Sequence, residues 1–374
     1  MLRNVPPPRF VFMEINKRCN LRCTHCDFWK RDDDDKAAYF QTEQKLRVLD
    51  ELAAMNPSAN LVICGGEPML DVDDYFELAR GARERGIRAL SVVNGTRIRR
   101  PEMAEKMILE GPHEISISLN SHVKAIHDRT RGIDGAFEKA VRALRLLVEA
   151  KKKLGATDTR IIVMGLIFGS NYKLVDGFYD FVLNDIGADQ LKLNFMQPTF
   201  GQMGEIDPFF AEESNVDGEE LVSIIAACDR KYGLGLNPEW LRQVGMYFRS
   251  LAAIGDREKG WAATKGTEEH ICNSYDRNVM INHYGVARLC FSDQFPGKKL
   301  VHDGDFTRFW NRANDIRAKM RHCNQFCGIS HSVRRESSTL QGREKMLAHQ
   351  VANGTFRTPS MAEELLYGLR ALAR

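Results

Sequence analysis

The chain reads as an α/β protein, a partial (βα)6 barrel with a cysteine-bearing C-terminal extension, and three observations predict this. Between residues 10 and 196, short apolar runs alternate six times with helical patterns. Polar and glycine-rich residues follow the runs directly, where a βα barrel builds its site from loops at the carboxyl ends of strands. Seven of the nine cysteines fall in two groups, at 19–26 and at 272–327.

In chain order, the strands are expected at Phe10–Ile15, Asn60–Cys64, Arg88–Val93, Glu114–Leu119, Ile161–Ile167 and Gln190–Phe195. Helices at Thr42–Met55, Tyr75–Arg85, Gly135–Lys152 and Tyr172–Asn184 have apolar residues at helical spacing. Such alternation calls for parallel strands and right-handed crossovers. Six units fall short of the closed eight-stranded barrel. The rhythm breaks near Gln197, and helices are expected at Glu219–Lys231, Pro238–Ile254 and Ala362–Ala373. These shifts divide the chain into a barrel (1–199), a helical connecting region (200–269) and a cysteine-bearing domain with a helical tail (270–374). The run Arg31–Lys36, four aspartates between basic residues, reads as a solvated loop.

With 374 residues, 43% hydrophobic and 28% charged, the composition is that of an ordinary soluble protein with room for a large core. A net charge of +3 points to neither a nucleic-acid nor an anionic-membrane partner. The start lacks a signal-peptide core and no window approaches a membrane span, so a cytoplasmic setting is expected. Cysteines in a reducing compartment are ligands or core residues rather than disulfides. Cys64 and Cys228, in apolar runs, are expected in the core.

The most informative segment is Arg18-Cys-Asn-Leu-Arg-Cys-Thr-His-Cys-Asp27. A 4Fe-4S cluster liganded by Cys19, Cys23 and Cys26 keeps one iron open, which separates a catalytic metal site from a closed one. A zinc knuckle using these cysteines with His25, or a ferredoxin cluster, is the alternative. A ferredoxin run calls for a fourth cysteine soon afterwards, and the next is Cys64.

The loop resembles the signature of the radical S-adenosylmethionine (SAM) enzymes. The resemblance implies that SAM chelates the open iron and that an electron, from a flavodoxin- or ferredoxin-type reductant, splits it into methionine and a 5′-deoxyadenosyl radical. Gly65-Gly66-Glu67-Pro68 resembles the family's GGEP motif, which implies that Glu67 accepts a charge-assisted hydrogen bond from the SAM ammonium. Its glycines are expected to let the backbone approach the ligand closely. Asn94-Gly95 and Ser116-Ile-Ser-Leu-Asn120 resemble further family segments, implying SAM contacts by Asn94, Ser118 and Asn120. Asn120 stands where relatives carry Asp, so it cannot be a base. His127–Gly135 resembles a segment whose arginine meets the SAM carboxylate, implying Arg131 in preference to Arg129. His25 stands where relatives place an aromatic residue near the adenine.

The second group, Cys272-x12-Gly285-x4-Cys290 with Cys323 and Cys327, resembles the SPASM and twitch extensions, and four cysteines fit twitch better. This implies an auxiliary 4Fe-4S cluster engaged in electron transfer, with a hairpin over Val279–Leu289 turned at residues 283–285. His322 and His331 are substitute ligands, and a zinc ribbon is the alternative. The implied reaction is oxidation, epimerisation or rearrangement of a small-molecule natural-product or sugar-type substrate. A ribosomal precursor peptide is the alternative substrate, somewhat disfavoured because only eighteen residues precede Cys19. A non-enzymatic iron–sulfur or zinc protein is the third reading. Lys192, Asn194 and Gln197 are expected at the barrel mouth, and Arg288 near the auxiliary hairpin.

Overall fold

Residue alternation along the first strand shows how the sheet is built. In β1 (Phe10–Glu14), Val11 and Met13 are fully buried and belong to the main core with Leu49 and Leu52 of the helix α1 (Thr42–Met55). Phe10, Phe12 and Glu14 alternate with them and point to the other, inner face. The computed structural model describes residues 5–26, 28–30, 35–195, 208–253, 270–272, 274–291, 295–321 and 332–334.

The strands β2 (Asn60–Cys64), β3 (Arg88–Val93), β4 (Glu114–Ser118), β5 (Arg160–Ile167) and β6 (Gln190–Phe195) follow β1 in parallel, in sequence order. Between them run α1, α2 (Val72–Glu84), α3 (Pro101–Glu110), α4 (Lys124–Arg131), α5 (Ala136–Lys153) and α6 (Val175–Asp180). The expected helix over Tyr172–Asn184 is instead a 3-10 turn, α6 and a π turn over Phe181–Ile186 that stops at Gly187, φ +79°. The wide turn buries both Val182 and Ile186.

At the amino ends of the inner face, Glu114 lies between Arg88 (3.9 Å) and Arg160 (3.5 Å), and Arg160 also donates to Gln190. Lys192 is exposed and Asn194 half-buried on β6, facing the same way as Met164 and Leu166.

After β6 come α7 (Pro208–Glu213), α8 (Gly218–Tyr232), α9 (Pro238–Ala253) and the short strand β7 (His270–Cys272). The expected hairpin is present as β8 (Asn278–Ile281) and β9 (Val286–Arg288). Its turn uses Gly285 at φ +76°, where a Cβ would stand 2.5 Å from the Phe40 ring. The hairpin does not stand apart: β8 pairs in parallel with β1, Phe12 opposite Met280, and β10 (Lys298–Lys299) extends the edge into a nine-stranded sheet. Helices α10 (Asp305–Arg312) and α11 (Asn314–Arg321) follow. Trp310 is buried, donates to the Pro6 carbonyl at 3.0 Å and lies 4.5 Å from the Arg317 guanidinium. A last strand, β11 (Ser332–Arg334), pairs antiparallel with β7.

Among the described residues, no helix is long and apolar enough to cross a membrane. The expected tail helix Ala362–Ala373 and most of the Arg31–Lys36 run lie outside the described residues. One core expectation needs correction. Cys228 is buried, but Cys64 is half-buried, because it pairs with Glu14 in register and so shares the inner face rather than the helix-covered one.

Candidate functional site

The loop carrying Cys19, Cys23 and Cys26 leaves β1 and is bolted to the segments that end β2 and β3 and to the end of α4. Gly66 donates its N–H to the Asn16 carbonyl (3.0 Å) and Glu67 to that of Arg18 (2.6 Å). A Cβ on Gly66 would overlap the Arg18 carbonyl and stand 2.7 Å from the Lys17 oxygen; one on Gly65, φ +146°, would stand 2.5 Å from the Asn16 oxygen. Both glycines are required by the docking of the loop itself. The close backbone approach expected for a ligand is made here by residues 16–18.

From the end of β3, Asn94 donates to Asn20 Oδ1 (2.9 Å) and accepts from the N–H (2.9 Å) and hydroxyl (2.7 Å) of Thr96. Asn20 closes the ring by donating to Thr96 Oγ1 at 2.8 Å. From the end of α4, the Arg131 and Thr130 carbonyls accept from the N–H groups of Arg22 and Thr24, each at 3.1 Å. Trp29 Nε1 donates to the Cys23 carbonyl at 2.9 Å. Cys23 is buried with Leu21 and Ala136, and Cys19 and Cys26 pack half-buried against them.

Two opposite charges face this loop. Glu67 is 2% exposed, accepts from the Met69 N–H (3.1 Å) on one oxygen and from the Asn94 N–H (2.7 Å) on the other. Burial nevertheless pushes its carboxyl up to about 7. Asn16 donates to the Glu67 carbonyl (3.0 Å) and to Asp71 (2.6 Å), which is ion-paired with Arg18. On the other side, buried Arg131 reaches Cys23 Sγ with Nη1 (3.7 Å) and Asn120 Oδ1 with Nη2 (2.9 Å), while its Nε has no partner. Asn120 is fully buried, donating to Thr130 Oγ1 and receiving the Asn171 amide, so what it does here is aim Arg131. Arg129 points elsewhere, to Glu213 of α7 and Ser170.

His25 lies 5.8 Å from the Phe209 ring of α7, with Nδ1 buried and unpartnered. Burial and then the Arg131 charge lower its pKa to about 3, so the ring is neutral. Ser118 ends β4 half-buried, opposite Met164 on the inner face. Asn16, Asn20, Asp71 and Thr96 carry no motif, and sequence reasoning missed them.

The donor set fits an iron–sulfur cluster better than a single ion. Among the described residues, no three Cys, His, Asp or Glu side chains gather closely enough to hold a single metal ion. A cubane takes one thiolate per iron, so its ligands stand further apart. Burial pushes the Cys19 thiol up to about 11, and metal coordination supplies the missing stabilisation of its thiolate. The unpartnered Arg131 Nε and His25 Nδ1 lie beside the same loop and leave polar capacity for a ligand there.

Of the second group, Cys272 ends β7, and Cys290 is half-buried just after β9. Ser274 donates to the Leu289 carbonyl at 3.1 Å, tying the two cysteine-bearing segments together. The β7–β11 pairing sets the Cys272 backbone opposite Ser332. Arg288 is half-buried on β9. Cys323, Cys327, His322, His331 and Gln197 lie outside the described residues.

Comparison with known proteins agrees with this geometry. Residues 13–182 match the model of the radical SAM superfamily. The chain is 37% identical over 145 residues to the Fe-coproporphyrin III synthase of Methanosarcina barkeri, covering 39% of this chain and 35% of that protein. It is 32% identical over 150 residues to an AdoMet-dependent heme synthase of the same organism, covering 40% and 42%. Each match therefore takes in less than half of the relative's length. In fold, the chain is similar to Streptococcus suis SuiB bound to precursor peptide SuiA, with TM-score 0.58, 13% identity, and coverage of 82% of this chain and 66% of that one.

Proposed function

We propose that the chain, whose residues 13–182 match the radical SAM superfamily, reductively cleaves SAM and turns the radical on a substrate at the inner face. What carries this reading is the cysteine loop, fixed at the ends of β2, β3 and α4, with a buried carboxylate on one side and a buried guanidinium on the other. When bound at Cys19, Cys23 and Cys26, a 4Fe-4S cluster with SAM supplies a 5′-deoxyadenosyl radical.

The chain's residues divide the remaining work. Glu67 accepts from the SAM ammonium, and with that cation beside it the carboxyl ionises despite its burial. Arg131, aimed by Asn120, offers its unpartnered Nε to the SAM carboxylate. Neutral His25 meets the adenine without bringing a charge. Gly65, Gly66 and Asn94 keep the cysteine loop seated, and Ser118 borders the ligand at the end of β4.

We assign residues 1–199 to the radical-generating barrel, 200–269 to a connecting region and 270–374 to an auxiliary domain. There Cys272, Cys290, Cys323 and Cys327 would hold a second 4Fe-4S cluster that exchanges electrons with the substrate. A small-molecule substrate is supported by the apolar inner wall, which includes Phe12, Val62 and Met280, and by relatives named for heme and porphyrin synthesis. A peptide substrate is the second reading, favoured by the likeness to SuiB with its precursor peptide. The electron would come from a flavodoxin- or ferredoxin-type partner.

Anaerobic reconstitution followed by iron, sulfide and product analysis tests the proposal. About eight irons are expected, with 5′-deoxyadenosine and methionine formed under strong reductant. A reconstituted protein that binds SAM but never cleaves it would overturn the assignment.

A further inference from the structure

Glu14 and Cys64 are register partners at the carboxyl ends of β1 and β2, on the inner face. Their neighbours Met13 and Ile63 turn the other way into the core. Glu14 is met by His283 from the β8–β9 turn, Nδ1 to Oε2 at 3.1 Å, with side chains 12% and 5% exposed. With Nδ1–H donating to the carboxylate, Nε2 is left buried without a partner. The rings of Tyr39 (5.3 Å) and Tyr284 (4.2 Å) close around the imidazole, and Tyr39 Oη accepts from the Lys17 N–H.

A carboxylate, an imidazole and a thiol set into an apolar wall cost free energy to bury, and the SAM-binding residues above use none of them. Burial, then the Glu14 charge, hold the Cys64 thiol far above its ordinary range, so it keeps its proton at neutral pH. Cys64 is half-buried, and its register with Glu14 puts it on the inner face.

We propose that Cys64 is a hydrogen-atom donor to the substrate, with Glu14 and His283 as the positioning pair beside it on the inner face. This rests on the radical SAM reading and selects epimerisation among its three outcomes. In the step, a substrate carbon radical takes the hydrogen of Cys64: a C–H bond forms, the weaker S–H bond breaks, and a thiyl radical remains. The thiyl is restored by one electron from an iron–sulfur reductant and one proton taken up from solvent. The substrate leaves at its original oxidation level.

The test needs no substrate. The reconstituted protein is equilibrated in D2O, where the thiol carries deuterium, and made to cleave SAM under strong reductant. Deuterium is expected in the 5′-deoxyadenosine of the wild type and is expected to be lost in Cys64→Ala. Unlabelled product from the wild type, or label that survives in Cys64→Ala, overturns the inference while leaving SAM cleavage standing. Absence of any cleavage in the wild type strikes at the radical SAM reading itself. A second readout uses the protein before cluster loading: alkylation by iodoacetamide, mapped by peptide mass. Glu14→Gln is expected to speed Cys64 alkylation about tenfold, as removal of a neighbouring negative charge frees the thiolate, while Cys228 stays slow. Unchanged Cys64 alkylation in Glu14→Gln also overturns the coupling.

Discussion

The two cysteine groups are held in contrasting ways. Cys19, Cys23 and Cys26 sit in a single loop whose residues 16–24 are fastened to the ends of β2, β3 and α4 by hydrogen bonds of 2.6–3.1 Å. Cys272 and Cys290 come from two segments joined by the Ser274–Leu289 bond, and one of these is paired to β11, some sixty residues on. A contiguous loop fixes its own spacing and leaves a motif. A site assembled from distant segments depends on the whole fold and leaves only a count of cysteines. The match of residues 13–182 to a family model falls on the first kind of site.

The sharpest break in that comparison is chemical. Replacing Cys19, Cys23 and Cys26 together by Ala is expected to leave about four irons and to abolish 5′-deoxyadenosine. Retained SAM cleavage in that variant would mean that the first loop is not where the radical is made. The mirror experiment, Cys272→Ala with Cys290→Ala, should also leave about four irons while SAM cleavage persists. Because metal sites can contribute folding energy, circular dichroism and thermal melting accompany both. A folded double variant with undiminished iron would show that the second group holds no cluster.

A smaller effect probes the charge beside the first site. Glu67→Gln keeps the shape but removes the negative charge, and should weaken SAM binding by roughly 1.5–3 kcal/mol, about 10- to 150-fold. The buried carboxyl also makes a stability prediction. Its pKa stands at about 7 in the fold against the ordinary 4.5. The fold thus favours the protonated form, and the contribution of Glu67 to the stability of the protein without SAM is greatest below pH 4.5. That contribution, roughly 3 kcal/mol, is lost as pH rises through about 7. Denaturant titrations of the unloaded protein at pH 4.5 and pH 8 check this, and Glu67→Gln should lack that component. SAM affinity runs the opposite way, falling as the pH drops below about 7 and the carboxylate is protonated.

Much of the fold was legible because its signals are local. The apolar runs at Asn60–Cys64, Arg88–Val93 and Gln190–Phe195 and the amphipathic stretch Thr42–Met55 fall where the elements stand. The docking of β8 on β1 was not legible, since strands nearly 270 residues apart share no periodicity. Cys64 was read as core because an apolar run does not say which face each residue takes; the register with Glu14 does. Gly65 and Gly66 were recognised, but the backbone they make room for, residues 16–18, is visible only in the structure. Asn20, Asp71 and Thr96 act between loops, where polar residues are too common to stand out.

The smallest predicted effect decides whether Asn94 serves the ligand or the loop. Its amide spans the Asn20 and Thr96 side chains one residue from Cys19, and only 8% of the residue remains exposed. A residue so committed stabilises the loop first and can reach SAM only through what is left. Asn94→Ala should therefore lower the stability of the reconstituted protein by about 1 kcal/mol, the net worth of such hydrogen bonds. Iron content and SAM affinity should decline together, the latter by less than about tenfold. Asn94→Asp keeps both acceptor bonds from Thr96 and loses only the donor to Asn20, so it should fall between wild type and Asn94→Ala. Thermal melting, iron analysis and SAM titration on the same samples separate the possibilities. If SAM affinity alone falls while melting and iron stay at wild-type values, Asn94 is a ligand contact and the loop is held by its backbone bonds to Gly66, Glu67, Thr130 and Arg131.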